Sequence, residues 1–474
     1  GSDLLPAITE VFRFLYDPSK YSIKEPAREQ HRLPKWGFDA KQVAKLYGSG
    51  KLVQWRGQAT AFVKGFGHPE ERRQRIRPIF EPSANQTDLD VPELRYLSRA
   101  ERREIAIGKQ FVALLDFAAY FDQIELQPEV RQFFVGRSTA TNNGQLWALT
   151  KLPMGFRASP AIAQFITWVL IESVAAIPGV TVDTMIDNVR IMADKPETFL
   201  RAVRLFLKNC DFVNATLNDN DEWRGSDADV IAHGREVAMD YVFLGERYRH
   251  NNGNVTVAPS DKHIDKLTRA VERVAGPQDN RNPLTARQFA STVGLALFMA
   301  DTLDVPLRNH FGLLKAYSSI LGSTPLRGWD APLVPNAELV RDLRHFSAPL
   351  LAGAPRAVKA PSPPSNLNAS YDLVAVMDAC KESWAAYIWV AANGATSLVQ
   401  KKMGREMQAS AHSEPWAFVE LSRFIKKHWP HAKSWAVVTD HEALARGQRR
   451  WYNGHGGHST AWYLNEAFSA AGTH

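Results

Sequence analysis

LLDFAAYFDQIEL (114–126) and MIDNVRI (185–191) are the two runs on which the reading of this chain turns. Each sets a carboxylate, Asp116 or Asp187, among apolar, β-prone neighbours. Burying an unpaired carboxylate is costly, so such a residue ordinarily has a partner, often a metal ion. The first run reads as a strand ending in a turn. The second reads as a hairpin around Asp187-Asn188, because Asx residues tolerate the backbone a hairpin needs. If the two segments are neighbours, their carboxylates converge, and they repel unless a divalent cation lies between them. Taken singly, either Asp could merely cap a turn.

The segment between them adds a third element. LPMGFRASPAIAQ (152–164) places a glycine-bearing turn before a helix that starts near Ser159-Pro160. Serine followed by proline is a helix-start signal.

Bulk properties limit the function classes. The chain has 474 residues, 45% of them apolar, enough for several cored domains. A formal charge of +7 permits a polyanionic partner without requiring one. Two cysteines, Cys210 and Cys380, cannot build a disulfide framework and suggest a reducing, intracellular setting in cytoplasm or nucleus. Glu172 and Pro178 interrupt the longest apolar stretch, which argues against a membrane partner. No signal peptide opens the chain, and Gly1-Ser2 reads as a scar of tag removal.

Strand-like and helical runs alternate over 61–258, whereas 259–348 is helical. Residues 1–60 have no clear period and read as an irregular extension with short helices. PLLAGAPRAVKAPSPPSNLNAS (349–370) reads as a Pro-rich linker, and 371–474 as a second α/β unit. The expected fold class is α+β.

The order of these motifs resembles reverse transcriptases. Asp116, with Phe121 five residues on and then Gln123-Ile124, is similar to the family's first catalytic motif. LPMGFRASPAIAQ resembles its second, and MIDN the tyrosine-x-Asp-Asp hairpin. YVFLGERY (241–248) resembles the primer-grip strand, and RRQRIRPIFEPSAN (72–85) the basic fingers strand. The resemblance covers about 60–330 and implies a right-hand polymerase of fingers, palm and thumb.

It also implies roles. Asp116 and Asp187 would bind two Mg2+ ions, with Mn2+ as an alternative, and Asn188 would offer a neutral oxygen where the family has a second aspartate. Arg75 and Arg77 would clamp the incoming dNTP, since strand alternation puts arginines 73, 75 and 77 on one face. The plainer alternative is a solvated basic edge. Phe121 would stand as the gate against a ribose 2′-hydroxyl, unless it is a simple core residue, while Gly155 and Gln164 would shape the template and nucleotide pocket. Met185 and Met154 depart from the family pattern. Asp221 stands where a proton-donating lysine is common, with Arg224 as a substitute that stays charged.

VMDACKESWAAYIWV (376–390) and VVTDHEAL (437–444) resemble strands of ribonuclease H. The resemblance implies a metal site of Asp378, Asp440 and a helical glutamate. Glu414 is preferred to Glu420, because Ala417 follows it at the family's spacing. Cys380 reads as a buried thiol. The tail NGHGGHSTAWYLNEAFS (453–469) resembles a Gly-Gly segment of DIRS-type, tyrosine-recombinase retrotransposons, including VIPER-type elements. On that alignment a fourth acid is missing, so the ribonuclease H-like domain is expected to be truncated. The implied function is an RNA-directed DNA polymerase of a retrotransposon with ribonuclease H. Its implied partners are an RNA template, a DNA or RNA primer, dNTPs and RNA–DNA hybrid. A gypsy-type or hepadnavirus-like polymerase is the rival enzyme. The non-enzymatic alternative is a degenerate scaffold that binds hybrids.

Overall fold

The computed structural model describes residues 4–21, 35–70, 75–86, 88–138, 145–277, 283–359, 371–380, 382–403, 410–441, 444 and 467. Two compact units divide the chain, one of 1–243 with 249–255 and one of 244–248 with 256–474.

In the first unit, the strand Phe111–Asp116 runs antiparallel to Asn188–Ala193, which pairs in turn with Val180–Met185. Asp116 lies opposite Asn188, and Met185 is that residue's partner on the other side. The helices Ser159–Ala175, Pro196–Phe212 and Asp227–Met239 share a core with this sheet that includes Phe111, Val189, Ile191, Phe199 and Phe206. Because apolar side chains from several elements meet there, the position of the sheet follows from burial.

A second core gathers Phe14, Trp36, Phe38, Val43, Phe80, Phe134 and Phe156. Residues 4–21 and 35–60, read from sequence as an irregular extension, therefore contribute to a shared core. The helix Ala40–Gly48 begins with a capping box between Asp39 and Gln42, and Trp36 Nε1 donates to the Val63 carbonyl at 2.9 Å. The helix Leu4–Tyr16 brings Val11 and Phe14 to this core, and the helix Ala40–Gly48 brings Val43 and Leu46. The strand Arg75–Pro82 pairs antiparallel with Val63–Glu70.

In the second unit, the helices Asp261–Ala275, Ala286–Leu303, Phe311–Arg327 and Ala337–Ala352 surround Leu267, Phe289, Val293, Leu313 and Phe346. The helix through Ala352 takes in the first four residues of the stretch read as a linker. Arg356–Ala357 is a short strand paired with Thr256-Val257, and 360–370 lies outside the described residues.

Farther on, Leu373–Ala379 pairs antiparallel with Ser383–Val390 and parallel with Trp435–Val438, and Thr396–Lys402 forms an edge. The helix Ser410–His428 packs on this sheet through Ala417, Val419, Leu421 and Ile425. Among the described residues, no helix is long and apolar enough to cross a membrane.

Candidate active sites

The first site is built by the Asp187 hairpin. Its turn is Ile186-Asp187, and the left-handed residue is Ile186, at φ +57°. The sequence put an Asx residue there, so this is a correction. A β-branched residue in that region is strained by about 1–3 kcal/mol, and the surroundings must hold it. The helix Ser159–Ala175 does so: Gln164 Oε1 accepts from Ile186 N at 2.6 Å, and Thr167 Oγ1 donates to Ile186 O at 2.6 Å. Gln164 is fully buried and donates one Nε2 hydrogen to Thr184 Oγ1 at 3.0 Å. Its amide is thus committed to the hairpin.

Asp116 ends its strand directly across from Asn188, one residue beyond Asp187. Phe117 N donates to the Asp187 carbonyl at 3.1 Å, and Asn188 Nδ2 donates to Asp187 Oδ1 at 3.0 Å. Burial holds the Asp187 carboxyl above the usual carboxylate range, and the nearby Asp116 charge adds to the rise. The two acids are therefore close enough to interact. A pair of half-buried carboxylates with amide oxygen beside it is a hard, all-oxygen donor set that suits Mg2+ or Mn2+.

Asn218 belongs to this group and was not singled out from sequence. Its Nδ2 donates to Asp116 Oδ2 at 2.9 Å, and its backbone N to the Asp116 carbonyl at 2.8 Å. The residues at the lysine position face elsewhere. Arg224 forms two hydrogen bonds to the Asp211 carboxylate, at 3.0 and 2.6 Å, and Asp221 is exposed at the start of a short 3-10 turn.

Phe121 sits half-buried on the short helix Tyr120–Gln123, against both cores of the first unit. Gly155, at φ +105°, accepts from Asn85 Nδ2 through its carbonyl at 2.8 Å. A Cβ at 155 would lie 1.9 Å from the Phe80 carbonyl oxygen, so only glycine lets this loop close on the arginine strand. On that strand Arg77 is half-buried opposite His68, and Arg75 is in register with Glu70, the side chains of these last two lying outside the described residues. Arg72 and Arg73 lie outside the described residues.

The second site stands at the carboxyl ends of two parallel strands, where such sheets commonly present functional groups. Asp378 is near the end of the central strand, Asp440 is just past its parallel neighbour, and Glu414 approaches from the helix. Ligand atoms of all three lie within 4.8 Å of one another. Ala379 N donates to Asp378 Oδ1 at 2.8 Å and to Glu414 Oε1 at 3.0 Å. Glu414 Oε2 is buried with no hydrogen-bond partner among the described residues, an orphan that a cation would satisfy. Glu420 instead pairs with Arg423 at 2.9 Å. Cys380 is exposed, not buried, with Sγ 3.2 Å from Ser383 Oγ, because it falls in the turn after the strand.

Burial, and then the Asp378 and Asp440 charges, push the Glu414 carboxyl up to about 7. An acid raised this way stabilises the fold below its ordinary pKa, and that stability is lost as pH rises through the folded value. In EDTA, the C-terminal unit is expected to lose about 3 kcal/mol between pH 4.5 and 8. Mg2+ should restore stability at pH 8 and do little at pH 5. Urea unfolding with and without Mg2+ measures this, and Glu414→Gln should flatten the profile. A wild-type profile already flat in EDTA would contradict the assignment.

No protein-family model and no curated protein matches this chain. Among solved structures it resembles the foamy viral protease-reverse transcriptase dRH in complex with double-stranded DNA. That match has a TM-score of 0.50 at 13% identity and covers 94% of this chain and 70% of the other. The foamy viral protein in complex with RNA/DNA hybrid gives 0.50 at 14% identity, covering 92% and 53%. The chain therefore spans about half the length of that second structure. At these identities the likeness speaks to architecture alone, and it gives the chain an α+β fold resembling retroviral reverse transcriptases, consistent with a polymerase followed by a ribonuclease H-like domain.

Proposed function

We propose that this chain is an RNA-directed DNA polymerase of a retrotransposon, with an attached ribonuclease H domain that degrades the RNA of RNA–DNA hybrids. The observation that carries the reading is the register setting Asp116 opposite Asn188, which gathers Asp116, Asp187 and an amide at one sheet end. The foamy viral structures, with double-stranded DNA and with RNA/DNA hybrid, support nucleic-acid partners of the same kind.

When bound, two Mg2+ or Mn2+ ions per site supply the Lewis acidity for nucleotidyl transfer and for hydrolysis. Asp116 and Asp187 each offer a carboxylate oxygen beside the primer 3′-hydroxyl. Asn188 offers only a neutral carbonyl oxygen, since its Nδ2 is committed to Asp187. Arg77, with Arg75, holds the dNTP triphosphate by guanidinium forks. Gly155 lets the nucleotide loop close, and Gln164 serves the pocket by fixing the hairpin. In the second site Asp378, Glu414 and Asp440 orient water toward an RNA phosphodiester. In this reading 61–258 is fingers and palm, 259–348 the thumb, and 371–474 the ribonuclease H-like domain. The DIRS-type, VIPER-like affiliation rests on the Gly-Gly tail, which lies outside the described residues.

Primer extension on an RNA template, in Mg2+ and then in Mn2+, tests the polymerase. DNA synthesis supports it. The replacement of an acid by Asn188 favours a second reading, a hybrid-binding scaffold, and hybrid binding without synthesis in either metal would establish that instead. Phe121→Ala should raise ribonucleotide incorporation about 10- to 100-fold relative to dNTPs. Unchanged discrimination would remove Phe121 from the gate.

A further inference from the structure

We propose that Asn218 is a positioning residue of the palm site, fixing the Asp116 carboxylate so that one oxygen is reserved for a divalent cation. The proposal rests on the polymerase reading and adds a residue to it. Its basis is how rigidly the 216–218 segment is clamped beside the Asp116 strand. Ala118 N donates to the Thr216 carbonyl at 2.9 Å. Thr216 N donates to Gln123 Oε1 at 2.8 Å, and Gln123 Nε2 returns a bond to the Thr216 carbonyl at 2.8 Å. Phe117 and Leu217 form an antiparallel bridge, and Leu217 is buried. Asn218 N then bonds the Asp116 carbonyl, which leaves its side chain one short path, to Asp116 Oδ2 at 2.9 Å.

The chemistry of a carboxamide suits this place. It donates to a carboxylate without carrying charge, so it orients Asp116 and leaves the negative charge of the pair intact for a cation. Asn188 does the same for Asp187, on Oδ1 at 3.0 Å. Each acid is thus held by one neutral amide, and Asn218 supplies its amide from 102 residues along the chain. A lysine or arginine in its place would neutralise Asp116 and compete with the cation.

The test is titration of Mn2+, followed through the electron paramagnetic resonance of the free ion. The protein is the full chain carrying Asp378→Asn and Asp440→Asn, which removes the second carboxylate cluster. Asn218→Leu and Asn218→Ala should each weaken Mn2+ binding about 10- to 100-fold and lower kcat comparably. KM for dNTP and affinity for an RNA–DNA hybrid should stay within about threefold. Asn218 is exposed, so neither change opens the core, and the melting temperature checks this. Mn2+ affinity within twofold of the parent would overturn the proposal. So would a loss confined to melting temperature and hybrid binding, the mark of a merely structural role. If the parent binds no Mn2+ that Asp116→Ala abolishes, the palm reading itself fails and the proposal with it. If the parent binds and Asn218→Leu and Asn218→Ala bind equally well, only the role of Asn218 falls.

Discussion

Asp187→Ala is expected to abolish primer extension in both Mg2+ and Mn2+, a loss on the order of a thousandfold or more, while hybrid affinity stays within about threefold. The asymmetry follows from where the residue sits. Asp187 lies in the hairpin turn, with its carboxyl raised by burial and by Asp116, so it favours a cation over a free negative charge. Asn188 cannot replace it, because a carboxamide carries no charge. Binding of a duplex draws mainly on phosphate contacts spread across many basic residues and falls with salt. One turn acid contributes little to that sum. Residual synthesis above about one-tenth of wild type would show that the reacting centre lies elsewhere.

The second large effect concerns stability. Asp183→Ala is expected to cost about 3–5 kcal/mol, because it strands buried guanidinium charge. Asp183 and Arg190 are cross-strand partners in the Asp187 hairpin, and both are completely buried. Arg190 Nη2 bonds Asp183 Oδ2 at 2.9 Å and the Arg102 carbonyl at 2.9 Å, and Arg102 Nε reaches Asp183 Oδ1 at 3.3 Å. Arg190 Nη1 donates to Tyr241 Oη at 3.1 Å, which meets His250 Nε2 at 3.0 Å. Burial holds His250 down at about 4, and Arg190 adds to that, so the imidazole is neutral near pH 7. Urea unfolding measures the loss. The double change Asp183→Leu with Arg190→Met should recover only part of it, because Arg102 stays buried without the Asp183 carboxylate. A loss under about 1 kcal/mol for the single change would mean that water reaches the site.

Much of the architecture was legible because local chemistry carried it. The strand around Asp116, the helix start at Ser159 and the helical character of 259–348 follow from apolar period and from end signals. Glu414 is preferred to Glu420 on the ribonuclease H resemblance, and the two lie in different surroundings, one beside Asp378 and Asp440 and one paired with Arg423.

The remainder depends on contacts distant in sequence. VTVDTM alternates as a half-exposed strand would, yet Asp183 is buried because Arg102, some eighty residues away, covers that face. Asn218 looks like an ordinary loop residue until the Asp116 strand is beside it. Ile186 carries no turn signal, since the helix holding it overrides local preference. Phe14 shares a helical spacing with the buried Ile8 and Val11, whereas Trp36 and Phe38 lie at a two-residue strand and the loop after it, too short for a period to show.

That grip on Ile186 also bears on how the protein is made. Gln164 and Thr167 are synthesised about twenty residues before the turn they hold. During synthesis from the N-terminus the helix can form first and receive the turn as it emerges. A chain started downstream of the helix would lack this guide and would have to form a left-handed isoleucine unaided. The order of synthesis thus places the residues that hold the Asp187 turn ahead of the turn itself.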